Sequence, residues 1–212
     1  MNNNTNKLAS ILNTKSHPID APKYRSKCKS MLDRDGVLVL NNFLLKDSIR
    51  TILEEAKQQE KLAYYCVNEH NVYLDPNDNN YPKSHPRNRT VISSKGCITD
   101  DQVPKGSALR ALYDSDDFKE FLCSVLNEES LYKYDDNLSS INIHFAKTGQ
   151  ELGWHFDNSS FAITLLIQKP EAGGDFEYIR DFRNSKNNDN NYDQVLDLMN
   201  GQCQPKKLTM EN

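Results

Sequence analysis

The segment Gly153-Trp154-His155-Phe156-Asp157-Asn158 decides how the rest of the chain is interpreted. It follows an alternating run at residues 141–145 and precedes an apolar run at residues 161–167. In a strand, residues two apart project to the same face, so His155 and Asp157 would present an imidazole nitrogen and a carboxylate together. These are two of the three ligands of the facial triad that suits non-haem Fe(II). With 5 His and 30 Asp or Glu among 212 residues, about one such pair is expected by chance, so the motif depends on its context.

Length, charge and cysteine usage limit the class of protein. The 212 residues suit one domain with a tail, and 37% hydrophobic residues are enough for a core. A net charge of -4 without a basic cluster argues against nucleic acid as a partner, and no apolar run reaches the ~20 residues of a membrane span. The 5 Cys form no C-x-x-C pair, which favours neither a disulfide framework nor a thiolate zinc site. We therefore expect a cytoplasmic protein that binds a small molecule.

The first half of the sequence predicts helices after a flexible start. Residues 1–30 are polar and Asn-rich, which indicates a flexible tail before a domain that spans residues 31–212. Residues 64–105 carry turn and loop signals such as Asp-Pro and His-Pro. A short strand is predicted at residues 35–40, and helices are predicted over residues 46–59, over residues 107–113, and from a cap at Ser115 or Asp117.

The second half changes to the period of two that is typical of strands. Alternation begins at Ser139, and apolar runs at residues 161–167 and 175–179 predict further strands around the His155 segment. A helix is predicted over residues 192–199, ended by Gly201. Helices followed by consecutive short strands favour an α+β fold, an antiparallel barrel or jelly roll with an N-terminal helical buttress.

Several further motifs occur in a fixed order along the chain, and together they resemble one enzyme superfamily. The chain resembles the Fe(II)/2-oxoglutarate-dependent dioxygenases from about residue 31 to residue 212. More narrowly, it resembles a bacterial subgroup that includes free-amino-acid hydroxylases and halogenases. Besides the His155 segment, the motifs are Asp35-Gly36-Val37-Leu38-Val39-Leu40, His70-Asn71-Val72-Tyr73-Leu74, Asp101-Gln102-Val103-Pro104, Leu109-Arg110-Ala111-Leu112-Tyr113-Asp114-Ser115 and Gly173-Gly174-Asp175-Phe176-Glu177-Tyr178.

The resemblance implies a double-stranded β-helix that holds Fe(II) by His155, Asp157 and a second His. 2-Oxoglutarate would chelate the metal, and a downstream Arg would pair with its distal carboxylate. The reaction would consume O2, release succinate and CO2, and oxidise a C–H bond of a small molecule. Family members that halogenate have Gly in place of the carboxylate ligand. Because the corresponding residue here is Asp157, the resemblance favours hydroxylation.

The sequence departs from this pattern because no His follows Asp157. The second His and the Arg of the family lie on strands beyond residue 212, so the predicted jelly roll lacks its last strands. Three readings stay open: an oxygenase whose sequence is C-terminally incomplete, an inactive jelly-roll remnant or binding domain, and a domain completed by strands from a partner. His144 on the neighbouring strand is an alternative metal ligand.

Ten residues are candidates for the functional site. The predicted metal ligands are His155 and Asp157. Strand parity places three candidates for cofactor binding in the barrel interior: Asn142, His144 and Thr164. Because loops of the buttress cover the barrel mouth in the family, five residues are predicted on the substrate side: His70, Tyr73, Arg87, Asp101 and Gln102.

Overall fold

The computed structural model describes residues 8–136, 138–183 and 190–208 as an α+β protein. Helices dominate the first part of the described chain, and short antiparallel sheets follow. None of the described helices is long and apolar enough to cross a bilayer. The helices are α1 (Pro22–Asp35), α2 (Lys46–Gln59), α3 (Ala108–Tyr113), α4 (Asp116–Leu126) and α5 (Tyr192–Met199), and the strands are β1 (Tyr64–His70), β2 (Val91–Ile98), β3 (Ile143–Phe145), β4 (Phe176–Tyr178) and β5 (Lys206–Leu208).

The main core lies between the N-terminal helices. Helix α2 has the predicted bounds and buries Ile52 and Ala56, which lie four residues apart on one face. Helix α4 packs Phe121 into the same core as Ile52, and both side chains are at most 1% exposed. Of the two predicted caps for α4, Ser115 is the one that forms, since its hydroxyl accepts a 3.2 Å hydrogen bond from Phe118 N.

The predicted flexible tail is wrong for residues 8–30. Leu8, Leu12 and Ile19 are buried in the main core, and a β-bridge joins Leu12 to Leu44. Helix α1 follows, with Pro22 in its first turn, where the missing N–H costs nothing. The Leu, Ile and Cys side chains of residues 8–30 all reach the core, although the average composition of this stretch is polar. Residues 1–7 of the predicted tail lie outside the described residues.

The predicted strand at residues 35–40 is not formed. Gly36 ends α1 in a left-handed conformation, with φ at 75°, and its N–H bonds to Leu32 O at 2.8 Å. Leu38 and Leu40 then pack on the main core from a segment that joins no sheet. The strand predicted at residues 35–40 is therefore wrong, and its apolar side chains serve the main core instead.

The longest strands lie in residues 64–105, where the sequence shows turn and loop signals. β1 pairs antiparallel with β2, from Tyr64 opposite Cys97 to His70 opposite Val91, and β2 pairs antiparallel with β3. One face of this sheet carries Ile98 and Ile143 and packs against Ala56 of α2. The other face, called here the polar face, carries Cys66, Asn68, His70, Ser93, Lys95, Cys97 and His144.

The His155 segment continues from β3 along the same edge of β2. After a turn at residues 147–150, Ser94 N donates to Glu151 O at 2.7 Å, and Phe156 N later donates to Val72 O at 2.9 Å. Residues 151–157 are thus extended without forming a regular strand, and neither they nor residues 161–167 are strands as predicted. The described strands form a three-stranded and a two-stranded sheet, and the double-stranded β-helix stays a prediction.

A second cluster holds the His155 segment against the C-terminal helix. Val72, which follows β1, is buried against Val195 of α5, and Trp154 and Phe156 pack on these two residues. Helix α5 has the predicted bounds, and Gly201 follows it with φ at 72°. β4 and β5 pair with each other from Phe176 opposite Leu208, and β4 lies within the strand predicted at residues 175–179.

A buried ion pair joins the turn after β2 to α3. Arg110 Nη1 donates to Asp100 Oδ1 at 2.6 Å, and Ser140 Oγ donates to the other oxygen of Asp100. Arg110 Nη2 also donates to the backbone oxygens of Asp100 at 2.6 Å and Val103 at 3.0 Å. Burial alone would raise the pKa of Asp100, but the hydrogen bonds from Ser140 and Arg110 outweigh it and lower that pKa below its usual range.

Candidate metal centre

The two predicted metal ligands, His155 and Asp157, lie close together and are called here the metal pair. His155 Nε2 lies 3.5 Å from Asp157 Oδ1, and His155 Nδ1 lies 2.8 Å from Gly153 O. A carbonyl oxygen only accepts, so Nδ1 carries the proton and donates to Gly153, while Nε2 of the neutral ring presents a lone pair. In that state an imidazole nitrogen lone pair and a carboxylate oxygen lie 3.5 Å apart, a separation that two ligands of one cation can have.

The pair fits a divalent metal as two of its ligands. Metal–nitrogen and metal–oxygen bonds near 2.1 Å place adjacent ligands roughly 3 Å apart, so a small rotation closes the observed gap. The Asp157 side chain is 55% exposed and has room for that rotation. The backbone oxygen of Gly153 fixes the imidazole as outer partners of metal-binding His residues do.

His70 lies beside His155 on the polar face. The two rings are perpendicular, with their centroids 6.2 Å apart. His70 Nδ1 lies 2.9 Å from Asn71 O and must donate to it, so Nε2 accepts from Ser93 Oγ at 2.7 Å. Because both nitrogens of His70 are engaged, this ring supports the site without offering a free lone pair to a metal.

Ser93 connects His70 to the His155 segment. Its hydroxyl oxygen accepts a 3.0 Å hydrogen bond from Gly153 N while its proton goes to His70. A Cβ added at Gly153 would lie 2.6 Å from Ile92 O and 3.0 Å from a methyl group of Val91. The segment can therefore approach β2 this closely only with glycine at residue 153.

Gly153→Ala is expected to destabilise the protein by about 1–3 kcal/mol, because the added methyl group must push the His155 segment away from the Ile92 carbonyl. Urea unfolding of wild type and variant measures the difference. Gly106→Ala is the matched control, since a Cβ there meets no atom within 4 Å. Equal midpoints for the Gly153 and Gly106 variants would contradict the close approach.

Arg183 fixes the backbone at the other end of the segment. Its Nη2 donates to the backbone oxygen of Asp157 at 3.2 Å, and its guanidinium carbon lies 4.8 Å from the centroid of the Phe156 ring. The guanidinium thus holds the main chain at Asp157 and leaves the carboxylate turned toward His155.

No third protein ligand is found within the described parts of the chain. No group of three His, Cys, Asp or Glu side chains in those residues is arranged to hold a metal ion. His144 is a poor substitute, because Lys95 Nζ lies 3.3 Å from its Nε2 and 3.4 Å from its Nδ1. Partial burial and then the Lys95 charge lower the pKa of His144, and a second cation at this ring would meet the same repulsion.

The other candidates for cofactor binding are placed apart from the metal pair. Asn142 lies next to the polar face, where its Oδ1 is 3.6 Å from Cys97 Sγ and its Nδ2 donates to Ser139 O at 3.2 Å. Thr164 is exposed on the segment after the metal pair and forms no hydrogen bond among the residues described. Of the three candidates, His144 lies on the polar face, where its ring nitrogens are next to the ammonium of Lys95.

Of the five residues predicted on the substrate side, His70 alone touches the metal pair. Tyr73 is 5% exposed and packs on Phe156, and its hydroxyl donates to Asn190 O at 2.6 Å. The other three serve local structure: Arg87 pairs with Asp75 at 3.4 Å, Asp101 accepts from Thr99 Oγ1 at 2.6 Å, and Gln102 completes a capping box with Thr99.

Sequence reasoning did not identify Ser93 and Lys95 as site residues. Both lie on the polar face of β2, two residues apart. The signal that could have found them is the alternation of Ser93, Lys95 and Cys97 with Ile92, Ser94 and Gly96, which becomes informative once residues 91–98 are known to form a strand.

Comparison with known proteins assigns the family. The family model described as Halogenase D (HalD) matches residues 21–203, which include the metal pair and the whole three-stranded sheet. No curated protein matches the chain. The match covers most of the sequence, and the chain belongs to the halogenase D family.

Proposed function

We propose that the protein is an Fe(II)- and 2-oxoglutarate-dependent oxygenase that hydroxylates a small molecule such as an amino acid. Membership of the halogenase D family supports an oxygenase-like or halogenase-like activity. The single observation that carries the proposal is the 3.5 Å distance between His155 Nε2 and Asp157 Oδ1, with His155 Nδ1 held by Gly153 O. A histidine and a carboxylate are two of the three groups of the facial triad of non-haem iron oxygenases.

The residue at position 157 supports hydroxylation over halogenation. A halide can bind a metal only where a position is free of protein ligands. Asp157 turns its carboxylate toward His155 Nε2 and would fill that position with an anion if a metal were bound there. Glycine at the same place would leave the position open, as in the halogenating proteins that the sequence resembles.

The residues of this chain would orient and hold the iron rather than transfer protons. Gly153 O keeps the proton of His155 on Nδ1, which would leave Nε2 available as a ligand of the metal. Arg183 holds the backbone at Asp157, and the Ser93 hydroxyl holds Gly153 N against β2. When bound, Fe(II) with 2-oxoglutarate and O2 supplies the oxidant for a C–H bond.

A binding domain without catalysis is the second candidate. The observation that favours it is that the described residues supply two metal ligands and not three. With two protein ligands a metal is held weakly, and water fills its other positions. Such a domain could still bind a small molecule, or be completed by strands from a partner, which would pair with the outer edge of β1.

Turnover of 2-oxoglutarate distinguishes the two candidates. We expect the full chain with Fe(II), O2 and free amino acids to release succinate together with a product that gains one oxygen atom, even with chloride present. Asp157→Ala should slow succinate release roughly 100-fold or more, because a metal ligand is lost. Asp175→Ala is the control, since that carboxylate pairs with Lys207 at 3.1 Å on a different sheet. Iron binding without any succinate would favour the binding domain.

A further inference from the structure

Strand β1 forms an outer edge of the three-stranded sheet. It pairs with β2 on one side, and no strand among the residues described lies on its other side. Along these seven residues, the backbone N–H and C=O groups that point outward therefore have no sheet partner in the described parts of the chain. An edge of this kind is a template on which another strand can pair.

β1 lacks the features by which proteins usually protect an edge strand. These features are a short length, a lysine or proline on the strand, and a β-bulge. β1 has seven residues, contains no Lys or Pro, and pairs with β2 in a continuous register. The described strands β3, β4 and β5 have three residues each, and β5 carries Lys206 and Lys207. Within the described chain, β1 is therefore the edge best suited to pairing.

The side chains along this edge are exposed and mostly uncharged. Val67 at the middle of β1 is 70% exposed, and Tyr64 at its start is 74% exposed. Ile92 of β2 is 45% exposed and lies diagonally across from Val67 on the same face. A strand placed beside β1 would remove part of this apolar surface from water, so the edge suits another protein strand.

The sequence of β1 is complementary to itself when a second copy runs antiparallel to it. With Val67 on the two-fold axis, Val67 lies beside Val67 of the partner subunit. Tyr65 then lies opposite Glu69 of the partner subunit, and both side chains are on the face that carries Val67. The pairing thus places apolar residues together at its centre and keeps the two carboxylates apart.

Two-fold pairing also gives Glu69 a counter-charge. No ion pair of Glu69 is found among the residues described, and four strand residues, about 13 Å, separate it from Tyr65 of its own chain. Lys147 Nζ lies 4.3 Å from the centroid of the Tyr65 ring, and the Lys147 side chain is 63% exposed. Glu69 of the partner subunit would enter beside that ring, where the ammonium can reach it. This charge complementarity favours a second copy of the chain as the partner.

We propose that two copies of this chain associate by antiparallel pairing of β1 with β1. The pairing joins two three-stranded sheets into one sheet of six strands. The inference does not rest on the proposed function, because neither residue of the metal pair takes part in the pairing. Residues 151–157 run along the other edge of β2, on the side of β3.

Sedimentation velocity of the full chain tests the pairing at concentrations from about 1 μM to about 100 μM. Wild type should change from monomer to dimer within this range. Val67→Lys should stay monomeric, because it places two ammonium groups side by side on the two-fold axis. Ile92→Lys is the matched control: it makes the same change on the same face, one strand away from the edge, and should dimerise as wild type does. Circular dichroism checks that both variants fold.

Charge exchange tests the register without altering the centre of the strand. Glu69→Lys and Lys147→Glu should each weaken the dimer about 3- to 10-fold, because like charges then meet across the pairing. The double variant Glu69→Lys/Lys147→Glu should return close to the dissociation constant of wild type. Restoration by the second change is expected for two residues that meet between copies, and not for two residues that act separately.

Each other outcome overturns the inference. A wild type that stays monomeric up to about 100 μM would leave the edge of β1 to a strand of a different protein. A dimer that persists in folded Val67→Lys forms through another surface. A dimer that Ile92→Lys disrupts as fully as Val67→Lys does forms by packing of sheet faces rather than edges. A double charge variant as weak as the two single changes combined contradicts the two-fold register.

Discussion

His155→Ala is expected to lower the affinity of the chain for Fe(II) by at least about 100-fold. Loss of an outer partner of a metal ligand alone costs 10–100-fold, and this variant removes the ligand itself. The side chain is 26% exposed, so its removal leaves a small gap at the surface and the fold should persist. Anaerobic equilibrium dialysis measures the affinity, and circular dichroism checks the fold.

His85→Ala is the matched control for that measurement. His85 stacks on Tyr81 with ring centroids 4.1 Å apart, and its Nδ1 accepts from Arg87 N, so the ring has a local structural role away from the metal pair. The control should bind Fe(II) as wild type does. Equal Fe(II) affinity in the His155 and His85 variants would show that His155 is not a metal ligand.

Asp100→Asn is expected to destabilise the fold by about 3 kcal/mol, because it leaves the Arg110 guanidinium without its buried counter-charge. Urea unfolding at neutral pH measures the loss. Asp101→Asn is the control: its carboxylate is exposed and accepts from Thr99, so the change should cost less than about 1 kcal/mol. Similar midpoints for the two variants would contradict a stabilising role of the buried pair.

The same ion pair predicts how stability depends on pH. The pKa of Asp100 is lower in the folded chain than in the unfolded chain, where a carboxyl titrates near pH ~3.9. Its contribution is therefore fully present above pH ~4 and is lost as the pH falls through the folded pKa. The stability difference between wild type and Asp100→Asn should shrink on acidification, and a difference that grew would contradict the assignment.

The elements that sequence analysis predicted well depend on local spacing. Helix α2 and helix α5 have the predicted bounds, because residues three and four apart meet on one face of a helix wherever the rest of the chain lies. The predicted cap at Ser115 is equally local, since its hydroxyl accepts from an N–H three residues ahead.

The features that sequence analysis missed depend on contacts between distant parts of the chain. β1 and β2 are stabilised by pairing with each other, and turn signals between them hid the strands. Residues 8–30 look polar on average, yet Leu12 reaches Leu44 and the main core. Lys95 lies 49 residues from His144 in sequence, so no local pattern could join them.

The arrangement of His155 and Asp157 depends on contacts that the spacing of the two residues does not reveal. Spacing alone suggested that His155 and Asp157 share a face, as they would on a strand. In the structure the segment is not a regular strand, and the two side chains lie 3.5 Å apart while Gly153 O fixes the imidazole and Arg183 holds the backbone. The sequence could suggest that His155 and Asp157 act together, but not that Gly153 O and Arg183 hold them in place.

The position of Trp154 gives the protein a built-in optical reporter. It is the one Trp of the sequence, it directly precedes His155, and it packs on the cluster that holds α5. Its emission should shift to longer wavelength when α5 separates from that cluster and water reaches the indole. A paramagnetic ion at the neighbouring imidazole should instead quench the emission without a shift, so one fluorescence spectrum distinguishes loss of packing from arrival of metal.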